Sequence, residues 1–221
     1  MAAIFVSGGT GYIGRPLIAR LLSSGLEVHA LTRARSVDRV PPGARVVVGD
    51  ALDERSFRDR IPTGATFIHL VGTPHPSPAK AAQFTSVDLV SIRAALSAAV
   101  SARVRHFIYV SVAHPAPVMQ AYIAVRSAGE ALLQASGLPG TVLRPWYVLG
   151  PGHRWPLVLV PVYAVLRLLP ATRASALRLG LVRLSDMLDS LERAVLDPCV
   201  EGVRVIDVPA MRAARRATPA G

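Results

Sequence analysis

Residues 3–14 read Ala3-Ile4-Phe5-Val6-Ser7-Gly8-Gly9-Thr10-Gly11-Tyr12-Ile13-Gly14. A short apolar run ends in a glycine cluster, and apolar residues then recur at helical spacing: Ile13, Leu17, Ile18, Leu21 and Leu22. The run predicts a strand over Ala3–Ser7 and the recurrence a helix over Gly11–Ser24. Pro16 falls in the first helical turn, where its missing N–H costs little, and Gly25 supplies the stop. The motif reads as Gly8-x-x-Gly11-x-x-Gly14 or Gly9-x-Gly11-x-x-Gly14. Glycines between a strand and a helix allow a tight turn and bring backbone amides and a helix N-terminus close to an anion. Gly8, Gly9, Thr10, Gly11, Tyr12, Ile13 and Gly14 are therefore expected to cradle the pyrophosphate of a dinucleotide.

The same alternation continues outward. Strands are expected at Glu27–Thr32, Arg45–Val48, Thr66–Val71, Arg105–Val110, Gly140–Leu143 and Val203–Val208. Helices are expected at Asp53–Arg60, Ala79–Ser101 and Tyr122–Ser136. Buried strands alternating with helices define an α/β fold, a Rossmann-type doubly wound parallel sheet, with a small C-terminal helical region on the substrate side. The expected organisation is a dinucleotide-binding core over 1–152, an apolar helical segment over 153–201, a returning strand within 202–210 and a basic, disordered tail over 211–221.

Composition narrows the class. The chain has 221 residues, 51% hydrophobic and 18% charged, which suits one compact domain and argues against disorder. One cysteine, Cys199, excludes an intrachain disulfide, and no neighbouring motif activates its thiol. The net charge of +11 comes from basic residues scattered singly, and aromatics are 5% of the chain. That pattern argues against a nucleic-acid partner and for a solvated, arginine-rich surface that attracts anions. The N-terminus has no basic leader and enters the glycine motif directly, so a cytoplasmic location is expected. His69, His75, His106 and His153 lack metal-ligand spacing, and no metal is expected. The segment Trp155–Val182 is apolar and proline-broken. Its uncharged part, Trp155–Leu166, is too short to span a bilayer. A pocket wall, a subunit interface or a face for peripheral membrane contact all fit it.

Other positions bear on the cofactor. Leu31-Thr32-Arg33-Ala34-Arg35 ends the second strand without a carboxylate. An acid there would bind a ribose 2′-hydroxyl, whereas Arg33 suits a 2′-phosphate, so NADP(H) is favoured over NAD(H). Asp50, followed by Ala51, can accept from the adenine amino group or cap the next helix. Val71-Gly72-Thr73 would lie along the cofactor, with Gly72 permitting close approach.

Taken together, the glycine turn, Gly49-Asp50-Ala51, Phe107-Ile108-Tyr109-Val110-Ser111, Tyr122-x-x-x-Arg126 and Ser136-Gly137-Leu138 with Thr141-Val142-Leu143-Arg144-Pro145 resemble the extended and atypical short-chain dehydrogenases/reductases. The small NmrA-like NAD(P)H-binding proteins are especially similar, and the likeness covers about residues 2–152. It implies a tyrosine as general acid or base, a lysine four residues later, and a serine or threonine just beyond the fifth strand. Tyr122 takes the first role and Arg126 the lysine position. Arginine keeps the charge and can fork onto ribose hydroxyls, yet it stays protonated and relays no proton. Glu130 is one turn further on, within pairing distance of Arg126. Ser111 ends the strand, with His114 in the loop beyond it, so both are catalytic candidates against structural alternatives. Tyr122, too, can instead be a cofactor contact or a core hydroxyl. Pro145 and Trp146 occupy the turn that the resemblance sets beside the nicotinamide, and Tyr147, His153 and Trp155 add aromatic character.

The leading expectation is hydride transfer between NADP(H) and a small apolar carbonyl or enone substrate. The altered tyrosine–lysine–serine set keeps a non-catalytic NADP(H) sensor or scaffold in view, and an isomerase or dehydratase as well. A fold alone does not separate them.

Overall fold

The computed structural model describes residues 3–151 and 170–214. Among them, seven strands form one parallel sheet: β1 Ile4–Ser7, β2 Val28–Thr32, β3 Arg45–Val48, β4 Thr66–His69, β5 His106–Val110, β6 Gly140–Arg144 and β9 Val203–Asp207. Their spatial order is β3-β2-β1-β4-β5-β6-β9, and every pairing is parallel. The central strand β1 is buried throughout because helices cover both faces. At the edge, only Val47 of β3 is buried.

Strand alternation sorts the core into two layers. Ile4, Val6, Ile68 and Ile108 face α1 (Gly14–Ser23) and α5 (Leu184–Leu196). Phe5, Phe67, Phe107 and Tyr109 face α2 (Val90–Ser101) and α3 (Gln120–Ala135). On that second face Phe67 stacks on Phe107 at 5.1 Å and meets Phe5 at 5.0 Å. Each such buried side chain stabilises the fold by roughly 1.5–3 kcal/mol. The stretch 78–101 is long and apolar enough to cross a membrane by composition, but Ile92, Ala95, Leu96 and Ala99 are used in this core.

Two expected helices differ from the reading. The stretch 79–101 is not one regular helix: a turn at Pro78–Lys80, a single turn at Ala81–Gln83 and a π turn at Phe84–Leu89 precede α2. The wide π turn buries Phe84 and Asp88 together, and such turns are frequent at functional sites. The stretch 53–60 breaks into short turns at Glu54–Ser56 and Arg58–Arg60, because Phe57 between them inserts into the core.

Beyond β6, β7 (Tyr147–Leu149) pairs in parallel with β8 (Leu181–Arg183) as a small second sheet. α5 is tied to α1, with Arg20 meeting Asp189 at 2.5 Å and Glu192 at 2.6 Å. Helix α4 (Pro170–Arg178) reaches the loop after β5, where Arg178 Nε donates to the Pro115 carbonyl at 3.2 Å. Leu179 and Val182 are buried in one cluster with Val112, Ala113 and Ala116. The described end of the Trp155–Val182 segment thus closes against the site-bearing loop; its residues 155–169 and His153 lie outside the described residues. The expected tail is corrected: α6 (Val208–Ala214) buries Val208 and Met211, so residues 211–214 belong to the fold. Residues 215–221 lie outside the described residues.

Candidate cofactor and active site

The glycine turn joins β1 to α1 at the carboxyl edge of the sheet. Gly8 takes φ +79°, and a Cβ there would stand 2.8 Å from the Leu70 carbonyl carbon. A side chain at Gly9 would meet Ile18 at 2.6 Å, and one at Gly14 would strike the Gly8 carbonyl oxygen. Those three glycines let helix and strand ends close together. Gly11 is different: it is exposed, and only the Gly8 oxygen at 3.2 Å lies near its Cβ position. No side chain caps the N-terminus of α1. An uncapped helix start beside an exposed glycine suits a pyrophosphate, so the residues present fit the nucleotide.

Arg33 is exposed directly after β2 and begins the turn Ala34–Arg39. Arg39, which the sequence reading passed over, returns from that turn and donates to the Thr10 carbonyl at 3.2 Å. A cleft beside them is lined by Thr10, Tyr12, Arg15, Pro16, Arg39 and Pro42. Asp50 is exposed and accepts from the Leu52 amide at 3.0 Å, forming a local turn. Asp53 caps the following turn, and Ala51 packs on the Phe57 side of the core.

A Cβ on Gly72 would collide with Arg126 Nη2, so the missing side chain admits the guanidinium. Arg126 does not pair with Glu130. Its Nη2 donates to Asp88 Oδ1 at 2.6 Å, and its Nη1 to the carbonyls of Val110 at 3.1 Å and Val71 at 3.4 Å. Asp88 Oδ2 accepts from the Thr73 amide at 3.0 Å and the Thr73 hydroxyl at 2.6 Å. The side chains are almost entirely buried, Arg126 at 6% exposed and Asp88 at 0%. Burial opposes the Arg126 charge, but Tyr122, Tyr109 and Asp88 more than offset it and hold Arg126 protonated above its ordinary range. Arg126, expected to fork onto ribose, is engaged here in a buried clamp, because a charge withdrawn from water requires a partner.

Tyr122 is half-buried on α3, its ring 4.9 Å from Phe84 and 5.1 Å from the Arg126 guanidinium carbon. Ser111 is buried just past β5, and its Oγ has no hydrogen-bond partner among the described residues. His114 faces Glu130 at 3.5 Å. Glu130 is held by Arg144, whose Nε lies 3.1 Å and 3.2 Å from its two oxygens. The Pro145 carbonyl accepts from Ala113, and Trp146 meets Tyr147 edge-on at 5.5 Å. Behind these, His69 is fully buried between Ser7 Oγ at 2.9 Å and Ser91 Oγ at 3.3 Å. Burial, then the Arg126 charge, push its pKa down to about 3. Among the described residues no three His, Cys, Asp or Glu side chains converge on a metal position.

Asp88 and Phe84 were missed in the sequence. The available signal was a lone carboxylate in a stretch, 81–101, whose one other charged residue is Arg93; a buried charge of that kind is held by a partner.

The fold and the glycine turn define a Rossmann domain of the dinucleotide-binding kind. The sequence model of a family described as NAD(P)H-binding matches residues 8–154, and the chain belongs to that family. It is 29% identical over 211 residues to a ceramide reductase of Caulobacter vibrioides (strain NA1000 / CB15N), covering 93% of this chain and 64% of that protein. It is 29% identical over 169 residues to 4-hydroxy-2-methyl-3-oxo-4-farnesyl-3,4-dihydroquinoline-1-oxide ketoreductase of Stigmatella aurantiaca, covering 66% of this chain and 50% of that one. The chain thus spans less than two thirds of either relative. A short-chain dehydrogenase/reductase superfamily protein from Agrobacterium tumefaciens with bound NAD shares the fold, with TM-score 0.67, 19% identity, and 93% of this chain and 77% of that one covered.

Proposed function

We propose that the chain is an NADPH-dependent reductase of apolar ketones or enones, with Tyr122 as proton donor. One observation carries the reading. A half-buried phenol lies between an aromatic ring and a guanidinium, on the helix that follows β5. When bound, the cofactor supplies the hydride. Tyr122 gives its hydroxyl proton to the carbonyl oxygen as it becomes an alcohol. Ser111 Oγ is the second hydroxyl assigned to the site. Arg33 and Arg39 supply positive charge for a 2′-phosphate. The two relatives are named for reducing a ceramide and a farnesyl-bearing quinoline oxide, which favours a substrate with a long apolar part. Peripheral membrane contact belongs to the same proposal.

The test follows NADPH oxidation against aldehydes, ketones and enones with and without long alkyl chains. Tyr122→Phe should bind NADPH nearly normally and lose turnover by roughly 10²–10⁴-fold, the scale of general acid catalysis. Turnover that survives the substitution transfers the proton role to His114. The sensor or scaffold reading has its own support in the Arg126–Asp88 pair, which turns the expected ribose-facing charge onto a carboxylate. Tight NADPH binding with no oxidation across the panel would favour it, and isomerised product without net oxidation would favour an isomerase.

A further inference from the structure

We infer that Asp88 is a positioning residue of this site, holding Arg126 against the ends of β4 and β5 and opposing its charge beside Tyr122. The inference rests on the reading of Tyr122 as proton donor. Three observations support it. Arg126 has one fixed geometry, because Asp88 and the carbonyls of Val71 and Val110 engage it from three elements. Asp88 is itself fixed by the amide and hydroxyl of Thr73, so the carboxylate is oriented before any ligand arrives. The opposed charges, 2.6 Å apart, are buried where water screens them little.

The consequence falls on Tyr122. A cation 5.1 Å from its ring favours the phenolate when it stands alone. With a carboxylate against it the pair is close to neutral, so little net positive charge faces the phenol. Other charged or titratable groups nearby are otherwise engaged or remote from the ring. Glu130, on the same helix, is shared by Arg144 and His114. Tyr109 on β5 is raised by burial, and His69 on β4 is held neutral by burial and Arg126. Arg93 on α2 faces solvent.

The test needs neither cofactor nor substrate. Alkaline titrations followed by tyrosinate absorbance, each protein against its own Tyr122→Phe counterpart, isolate this phenol. Asp88→Asn is expected to move its titration to lower pH, because the Arg126 charge then stands unopposed. Arg126→Gln is expected to move it the other way, and Asp88→Asn with Arg126→Gln to bring it back. If Asp88→Asn alone does not fold, the step from Arg126→Gln to the double variant carries the same comparison, because a glutamine amide still offers the Asp88 carboxylate a donor. A titration unmoved by loss of Asp88 in either background overturns the inference and leaves the pair a purely structural link. Failure of the reductase reading shows separately, as turnover that survives Tyr122→Phe.

Discussion

The guanidinium of Arg126 lies against the backbone of Gly72, in the space where a side chain at that position would begin. Gly72 and Arg126 therefore fit only as a pair. Gly72→Ala is expected to destabilise the protein by about 1–3 kcal/mol, the usual penalty for overpacking. Urea denaturation measures it, and an alanine tolerated without loss would mean that the guanidinium moves freely.

Removing Arg126 should cost more. Arg126→Ala leaves the Asp88 carboxylate buried without its partner, a loss of about 3–5 kcal/mol. Arg126→Lys is also expected to destabilise, because a compact ammonium does not reproduce a planar fork reaching Asp88 and two carbonyls. Thermal unfolding of both variants checks this. A lysine variant as stable as the original would show that the fork is dispensable.

Within the glycine turn the positions should separate. Gly14→Ala drives a Cβ into the Gly8 carbonyl oxygen and should impair folding. Gly11→Ala has more room in the fold and should retain it, yet weaken NADPH binding by obstructing phosphate approach. Circular dichroism and calorimetric titration distinguish the two, and equal NADPH affinity in Gly11→Ala would contradict the pyrophosphate assignment.

Cofactor choice is expected to depend on Arg33, with Arg39 contributing. Arg33→Ala should weaken NADPH binding by about 1–3 kcal/mol, the range for hydrogen bonds to charged groups, while leaving NADH binding nearly unchanged. Calorimetric titration of both cofactors measures the difference. Equal losses for the two would remove the 2′-phosphate from the assignment.

Acid should unfold the protein through its buried histidines. Burial pushes His69 down to about 3, while burial and then Arg204 and Arg105 push His106 down to about 4. Each is neutral in the folded chain, while an unfolded histidine takes up a proton near 6.5. Their contribution to stability is complete above pH 6.5 and falls with pH toward the folded values, by up to about 1.4 kcal/mol per unit for each residue. Denaturant melts between pH 7 and 4 report the slope, which should become shallower in His106→Asn. An unchanged slope would show that His106 titrates alike in both states.

The turn from Gly8 to Gly14 was legible because its function is local. Spacing within a few residues sets strand, turn and helix, and Gly8, Gly9 and Gly14 are required by contacts within or beside that unit. The parallel sheet was legible for a similar reason, since runs such as Ile4–Ser7 and Thr66–His69 are buried on both faces and read as continuous apolar segments. Arg126 was legible as a position on a helix face, four residues after Tyr122, but its partner was not. Asp88 lies 38 residues away in sequence and reaches Arg126 through a π turn that residue spacing does not announce. Glu130, one turn from Arg126, was the local candidate, yet Arg144 from the end of β6 holds it. Sequence periodicity alone determined the nucleotide fold and the place of its glycine turn, because backbone geometry and burial act over short range. Which charge meets which was decided only when the carboxyl ends of β4, β5 and β6 came together, because a buried ion pair is made by elements that are neighbours in space and strangers in sequence.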